Sequence, residues 1–278
     1  MPSARAALGV IFAVARAHLT TMRRYPGYLA VDAVLPVIVT LAPLLIGQAL
    51  AGPGALRNFT ANTGALDPRA YMLLGASQLI IVSGALWNLG AWMRRELQTG
   101  TLEALYLCPA PRWWILAGVC LYGLCRDLLV FLLAIAIGGL VLGIDLLDAR
   151  LAFAILLVAS GSLSLYGLSL AYAALVLRLK DVTALTQLAQ YAVGLLLGAF
   201  FPIHVLPTAL QWLARAFPPM WITQGMRAIM LDVGWQLGAW YRDLAVVAAF
   251  SLATPVLGFL AFRRAESEMR RRGGVGGY

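Results

Sequence analysis

Six long stretches of the chain are almost free of charge: residues 29–50, 70–92, 115–143, 151–177, 182–201 and 243–262. An α-helix needs roughly 20 apolar residues to cross a hydrocarbon core of about 30 Å, and each stretch reaches that length. Lipid offers no partner for backbone N–H and C=O groups, so each span must pair its own. The pattern predicts an all-α, polytopic membrane protein with six transmembrane helices. Pro36 and Pro43 interrupt the first run, which neighbouring helices in a membrane tolerate. Residues 202–242 are divided by Pro202, Pro207, Pro218 and Pro219. The pieces 203–216 and 220–231 are too short to cross and are predicted to be re-entrant or interfacial helices at the outer face. Every loop is short and no internal repeat is visible. The expected organisation is one transmembrane domain over residues 1–278. Its parts are an interfacial helix (1–28), a six-helix bundle (29–262) and a basic, then glycine-rich tail (263–278) held near anionic lipid.

Composition strengthens this picture. Of 278 residues, 62% are hydrophobic and only 12% charged, where a soluble domain carries roughly 25% charged residues. The mean hydropathy is +0.83. The net charge of +9 is spread over short loops, which argues for topology and against nucleic-acid binding. With both termini inside, 14 basic residues fall on the cytoplasmic side, including Arg23, Arg24, Arg94, Arg95, Arg263 and Arg264. Six fall outside: Arg57, Arg69, Arg150, Arg215, Arg227 and Arg242. The bias places the chain in the cell (inner or plasma) membrane with both ends cytoplasmic. Tryptophans agree, with Trp92, Trp113 and Trp114 at the inner boundary and Trp212, Trp221, Trp235 and Trp240 near the outer one; Trp87 sits deeper. The competing reading of the start is a signal peptide ending near Ala13-Val14-Ala15. Cleavage there would leave Arg16, Arg23 and Arg24 outside, against the bias, so an interfacial helix is preferred.

The candidate chemistry is sparse. Cys108, Cys120 and Cys125 form no CxxC, and His18 and His204 are far apart, so no metal site is expected. No constellation points to catalytic residues. Gly100 suits the left-handed position that ends one helix. Thr101 suits the N-cap of the next, with Glu103 in its first turn and Pro109 ending it. The same features also suit a capped surface turn. In the third span Arg126 and Asp127 are adjacent, about 100° apart around the helix, and are not expected simply to neutralise each other. They either face the bundle or water, or lie at the inner interface of a span that starts at Leu128. The fifth span carries Thr183, Thr186, Gln187 and Gln190 on one face, and Gly194 and Gly198 extend it as a small-xxx-small pair. That face is a dimer seam, a wall of the transport path or ordinary helix packing.

The pattern Glu96-x-x-x-Gly100-Thr101-Leu102-Glu103-x-Leu105-x-x-x-Pro109 resembles the hallmark of the type-two ABC exporter permeases, the membrane subunits of drug and polysaccharide export. Phe200-Phe201-Pro202-Ile203-x-x-Leu206-Pro207, Phe217-Pro218-Pro219-Met220 and Gly225-Met226-Arg227 are similar as well. The chain departs at Cys108, where a small hydroxyl residue is common. The resemblance implies that residues around 101–107 form a coupling helix docked on a separate ATPase. The chain has no GxxxxGK[ST] loop, and its one lysine, Lys180, follows no glycine-rich turn. ATP and Mg are therefore expected on the partner ATPase, with no cofactor on this chain. The implied partners are that ATPase, a second permease subunit, identical or homologous, and membrane lipids. The implied cargo is a drug, a lipid or a lipid-linked glycan or polysaccharide. Two other classes compete. An ion-coupled secondary transporter would use Arg126 and Asp127 as buried relays, but it lacks repeat symmetry. An intramembrane enzyme would need paired acids, and Asp145 and Asp148 read as solvated loop residues.

Overall fold

A computed structural model describes residues 4–99, 112–178 and 183–271. Among these residues the structure is all-helical, without strands. In chain order the helices are α1 (Ala4–Arg24), α2 (Pro26–Ala51), α3 (Ala55–Thr63), α4 (Pro68–Gln98) and α5 (Arg112–Leu142). They continue with α6 (Arg150–Arg178), α7 (Thr183–Leu197), α8 (Thr208–Arg215), α9 (Pro218–Leu231) and α10 (Trp240–Arg271).

Five of these, α2, α4, α5, α6 and α10, are long and apolar enough to cross a membrane. The sixth candidate, α7, has 15 described residues, about 22 Å at 1.5 Å per residue, and residues 179–182 before it lie outside the described residues. It stops at Gly198, whose φ of 62° is left-handed, so the chain leaves the helix there and not at residue 201. Gly198 accordingly lies beyond the helix and does not continue the Gln187–Gln190 face. The last helix is longer than its apolar run and carries Arg263 to Arg271 as ordered helix, where the charge pattern suggested only a tail. Pro26 takes the first helical turn of α2, where its missing N–H costs nothing. The break between α1 and α2 therefore falls at Tyr25, and α2 runs on through Pro36 and Pro43.

Lipid supplies no hydrophobic drive between helices, so the bundle is held by close packing and interhelical hydrogen bonds. The α6–α10 pair shows both. Gly167 lies against the backbone of Thr254 and Pro255, and Gly258 lies against Gly167; a Cβ at either glycine would collide with backbone atoms. Beside this contact the Ser251 hydroxyl donates to the Ser160 carbonyl at 3.0 Å, and the Thr254 hydroxyl to the Ser164 carbonyl at 3.0 Å. α1 packs along the first third of α5. Gly118 meets Val14 and Ile11, and His18 stacks on Tyr122 at 5.2 Å. Burial, then the charge of Arg95, pushes the His18 imidazole below its usual range, with Glu96 opposing. α1 is thus electrically close to the end of α4.

The two ends of the bundle are tied differently. At the end where α1 lies, Arg178 pairs with Glu268 at 3.1 Å. At the other end Arg69 donates to the Leu142 carbonyl at 2.9 Å, and Arg150 pairs with Asp232 at 2.5 Å. Buried Asp243 accepts the backbone N–H groups of Gln236 and Leu237 at 2.8 and 2.9 Å, closing the loop before α10. Asp145 and Asp148 are exposed there, as the loop reading expects.

Candidate functional site

Among the described residues, two assemblies built on an arginine lie within the bundle. The first is centred on α5. Asp32 stands six residues into α2 from Pro26, about 9 Å along the helix, and Arg126 stands midway along α5. The Arg126 Nη2 donates to the Asp32 carboxylate, and its Nη1 lies 3.4 Å from Asp127 Oδ1. The Asp127 side chain is 2% exposed and accepts the Tyr166 hydroxyl of α6 at 2.6 Å. Arg126 also lies over Gly84 of α4, where a Cβ would stand 2.9 Å from its Nη1. One cation therefore faces two carboxylates, and the network joins α2, α5 and α6. Arg126 and Asp127 both turn into the bundle. The expectation that they do not neutralise each other is corrected, because the long arginine side chain bends back across the helix to reach its neighbour. Asp32 and Tyr166 were not anticipated. The available signal was that Asp32 is the lone acid in the first apolar run.

The second assembly is centred on Arg227 of α9. The charge pattern counts this residue in an outer loop, yet its relative exposure is 0%. Its Nε and Nη2 donate to the Tyr71 carbonyl at 3.3 and 3.1 Å. Nη1 donates to the Gly198 carbonyl at 2.9 Å and Nη2 to the Ala199 carbonyl at 2.5 Å. The guanidinium also lies 3.6 Å from the Tyr71 ring centroid. The Gly198 and Ala199 carbonyls follow the end of α7, where the last C=O groups lack helical partners and the helix dipole is negative. Gly75 completes the fit, because a Cβ there would strike the Ala199 carbonyl and the guanidinium. Arg227 thus joins α9 to α4 and to the end of α7. The basic count outside falls from six to five, which leaves the charge bias in the same direction.

α9 is almost entirely buried, and its 14 residues span about 21 Å. Ile222 packs on Gly161 and Leu157 on Gly225, so α9 runs antiparallel to α6. A short helix sunk into the bundle from one end is re-entrant, as the prolines predict. Near it, both side-chain amide atoms of Gln78 and the Nε2 of Gln224 are buried without a hydrogen-bond partner.

The remaining sequence candidates fall as follows. Gln187 and Gln190 are exposed on α7, and Gln190 borders a small cavity of about 110 Å³ with Trp87 and Tyr172. Gly194 is in ordinary contact range of Leu79, 3.7 Å from a built Cβ. Thr183 opens α7, but its side chain and that of Thr186 lie outside the described residues. Glu96 is half-buried in the last turn of α4. Gly100, Thr101, Leu102, Glu103, Leu105 and Pro109 lie outside the described residues. Among the described residues no His/Cys/Asp/Glu group is arranged to hold a metal ion, and Cys120 and Cys125 are free thiols.

The spans, the re-entrant helix and the polar assemblies describe a multi-pass membrane protein. Comparison with curated proteins gives no match. The family model of the ABC-2 type transporter matches residues 9–231, from within α1 to the end of α9, and so covers most of the chain. The chain belongs to the ABC-2 type transporter family and is a permease component of an ABC transporter, distinct from the ATPase.

Proposed function

We propose that this permease forms the membrane pathway of an ATP-driven exporter as a dimer, identical or homologous, resting on two separate ATPase subunits that carry ATP and Mg. Both termini face the cytoplasm across the cell membrane. The observation that carries the pathway reading is on α7. Gln187 and Gln190 are exposed on α7, Gln190 at the edge of the small cavity beside Trp87 and Tyr172, and exposed glutamines facing lipid would leave their amides without partners. A second subunit or a water-filled path beside α7 supplies those partners. The cargo class is a drug, a lipid or a lipid-linked glycan or polysaccharide.

The mechanism follows from how the ends are built. Glu96 lies at the α1 end, in the last turn of α4, and by the family resemblance it and the Gly100–Pro109 motif couple to the ATPases. At the other end, α9 seals the bundle through Arg227. The unpaired amides of Gln78 and Gln224 mark this junction as one that gains hydrogen bonds when it opens to water, since each unmet buried group costs about 1–3 kcal/mol. ATP-driven closure of the ATPases at one end and parting of α9 from α4 at the other give alternating access.

Coupling is tested by Glu103→Lys, which reverses the charge that the sequence pattern assigns to a helix's first turn. The variant is expected to reach the membrane and co-purify with its ATPase, while substrate-stimulated ATP turnover and export fall together in reconstituted vesicles. Wild-type export with normal stimulation would reduce the segment to a capped loop. Orientation is tested separately. Cysteines at Asn58, Asp145 and Leu210 are expected to react with an impermeant thiol reagent added outside intact cells, and one at Gln98 is not. Labelling at Gln98 from outside would invert the topology.

A further inference from the structure

Helices α5, α6 and α10 line an open groove of about 1030 Å³ to which α7 contributes no residue. That volume is at the top of the range of about 300–1,000 Å³ for ligand pockets. Its walls are leucine, alanine and aromatic side chains almost throughout. Along α6 the lining runs from Phe153 to Leu170, about 26 Å at 1.5 Å per residue. One leaflet of hydrocarbon is about 15 Å deep, half of the bilayer core, so the groove is long enough to take a leaflet's acyl chains along their whole length.

One end of the groove is chemically different. On α10 the lining stripe passes through Leu252, Pro255 and Phe259, at helical spacing. The next position on that stripe is Arg263, which is exposed. One turn before it, Phe259 meets Trp113 edge to face, with centroids 6.5 Å apart, and Trp113 is 55% exposed. An exposed indole belongs at the headgroup level, with a basic side chain beside it. The deep wall stays apolar because Tyr166 presents its ring while its hydroxyl is taken by Asp127.

We propose that this groove binds an anionic phospholipid from the leaflet at the Arg263 end, with its acyl chains between α5 and α6 and its phosphate at Arg263. A second protein copy suits the groove less well. Helices that pack against each other in a membrane meet through small residues, whereas most of this lining is leucine and aromatic side chains, and its one glycine, Gly167, is already occupied by the α6–α10 contact. The groove and the glutamine face of α7 are different surfaces, so this proposal does not depend on the pathway described above.

The test uses the full chain in phosphatidylcholine vesicles doped with phosphatidylglycerol or phosphatidylcholine brominated near the headgroup end of the acyl chains. Bromine quenches nearby tryptophan, and the Trp113 contribution is the difference between wild type and Trp113→Phe. Brominated phosphatidylglycerol is expected to occupy the site about fivefold more readily than phosphatidylcholine, the preference given by one basic residue near an anionic headgroup. Arg263→Gln is expected to abolish the preference. Ala159→Phe, which narrows the groove, is expected to lower quenching by both lipids. Equal quenching of Trp113 by the two lipids, or a preference that survives Arg263→Gln, overturns the proposal. Disulfide cross-linking of two Leu163→Cys chains through the groove would also overturn it, by seating a second subunit there. Mass spectrometry of the gently solubilised wild type needs no variant: retained phosphatidylglycerol in excess of phosphatidylcholine supports the proposal, and an unselective lipid complement counts against it.

Discussion

Arg227→Met is expected to destabilise the protein more than any other single change, by about 3–5 kcal/mol. The methionine fills much of the volume but leaves the carbonyls of Tyr71, Gly198 and Ala199 without the donors they now have. It also removes the cation from the Tyr71 ring, a desolvated contact that contributes about 2 kcal/mol. In detergent, the melting temperature is expected to fall by about 10 °C. Arg227→Lys keeps the charge but not the planar fork that reaches three carbonyls, so it should recover part of the loss. A methionine variant that melts with the wild type would show that the guanidinium is not what holds α9 to α4 and α7. Gly75→Ala provides an independent check, since it disturbs the same contact from the α4 side without touching the arginine.

Arg126→Leu is expected to have the second largest effect, at about 3–5 kcal/mol, because it leaves Asp32 and Asp127 in the bundle with no cation between them. The partial exposure of Arg126 and Asp32, 21% and 25%, places the loss at the low end of that range. Either carboxylate alone should matter less. Asp127→Asn keeps an oxygen for the Tyr166 hydroxyl and leaves Arg126 paired with Asp32; Asp32→Asn leaves it beside Asp127. Combining the two strands the guanidinium, so the double variant should be less stable than the sum of the singles. The check is a double-mutant cycle on thermal melting, with export measured in parallel. Additive losses would mean that the three groups do not act as one network.

The helices themselves were legible because apolar length is a local property. The runs starting near residues 29, 70, 115, 151 and 243 each became one long helix, and the prolines at 202, 207, 218 and 219 divided the segment that became α8 and α9. Asp145 and Asp148 are exposed before α6, as a polar loop should be. Family resemblance pointed to the transporter class, and the match over residues 9–231 bears out the class.

The partners of the buried charges were not legible, for a physical reason. Arg227 reads as a surface arginine because nothing nearby in sequence can solvate it. Its acceptors are carbonyls 28, 29 and 156 residues away, and carbonyls have no sequence signature, since every residue carries one. Asp32 reads as a residue near the start of a span; only the packing of α2 on α5 brings it to Arg126, 94 residues on. The end of α7 was misplaced because residues 198–201 are as apolar as the helix before them. There the Arg227 guanidinium takes the exposed carbonyls of Gly198 and Ala199, and glycine permits the left-handed turn that presents them. Periodicity and hydropathy determine which segments enter the membrane. The bundle alone decides which charges meet inside it, because a buried charge is stabilised by whatever polar group the fold carries to it.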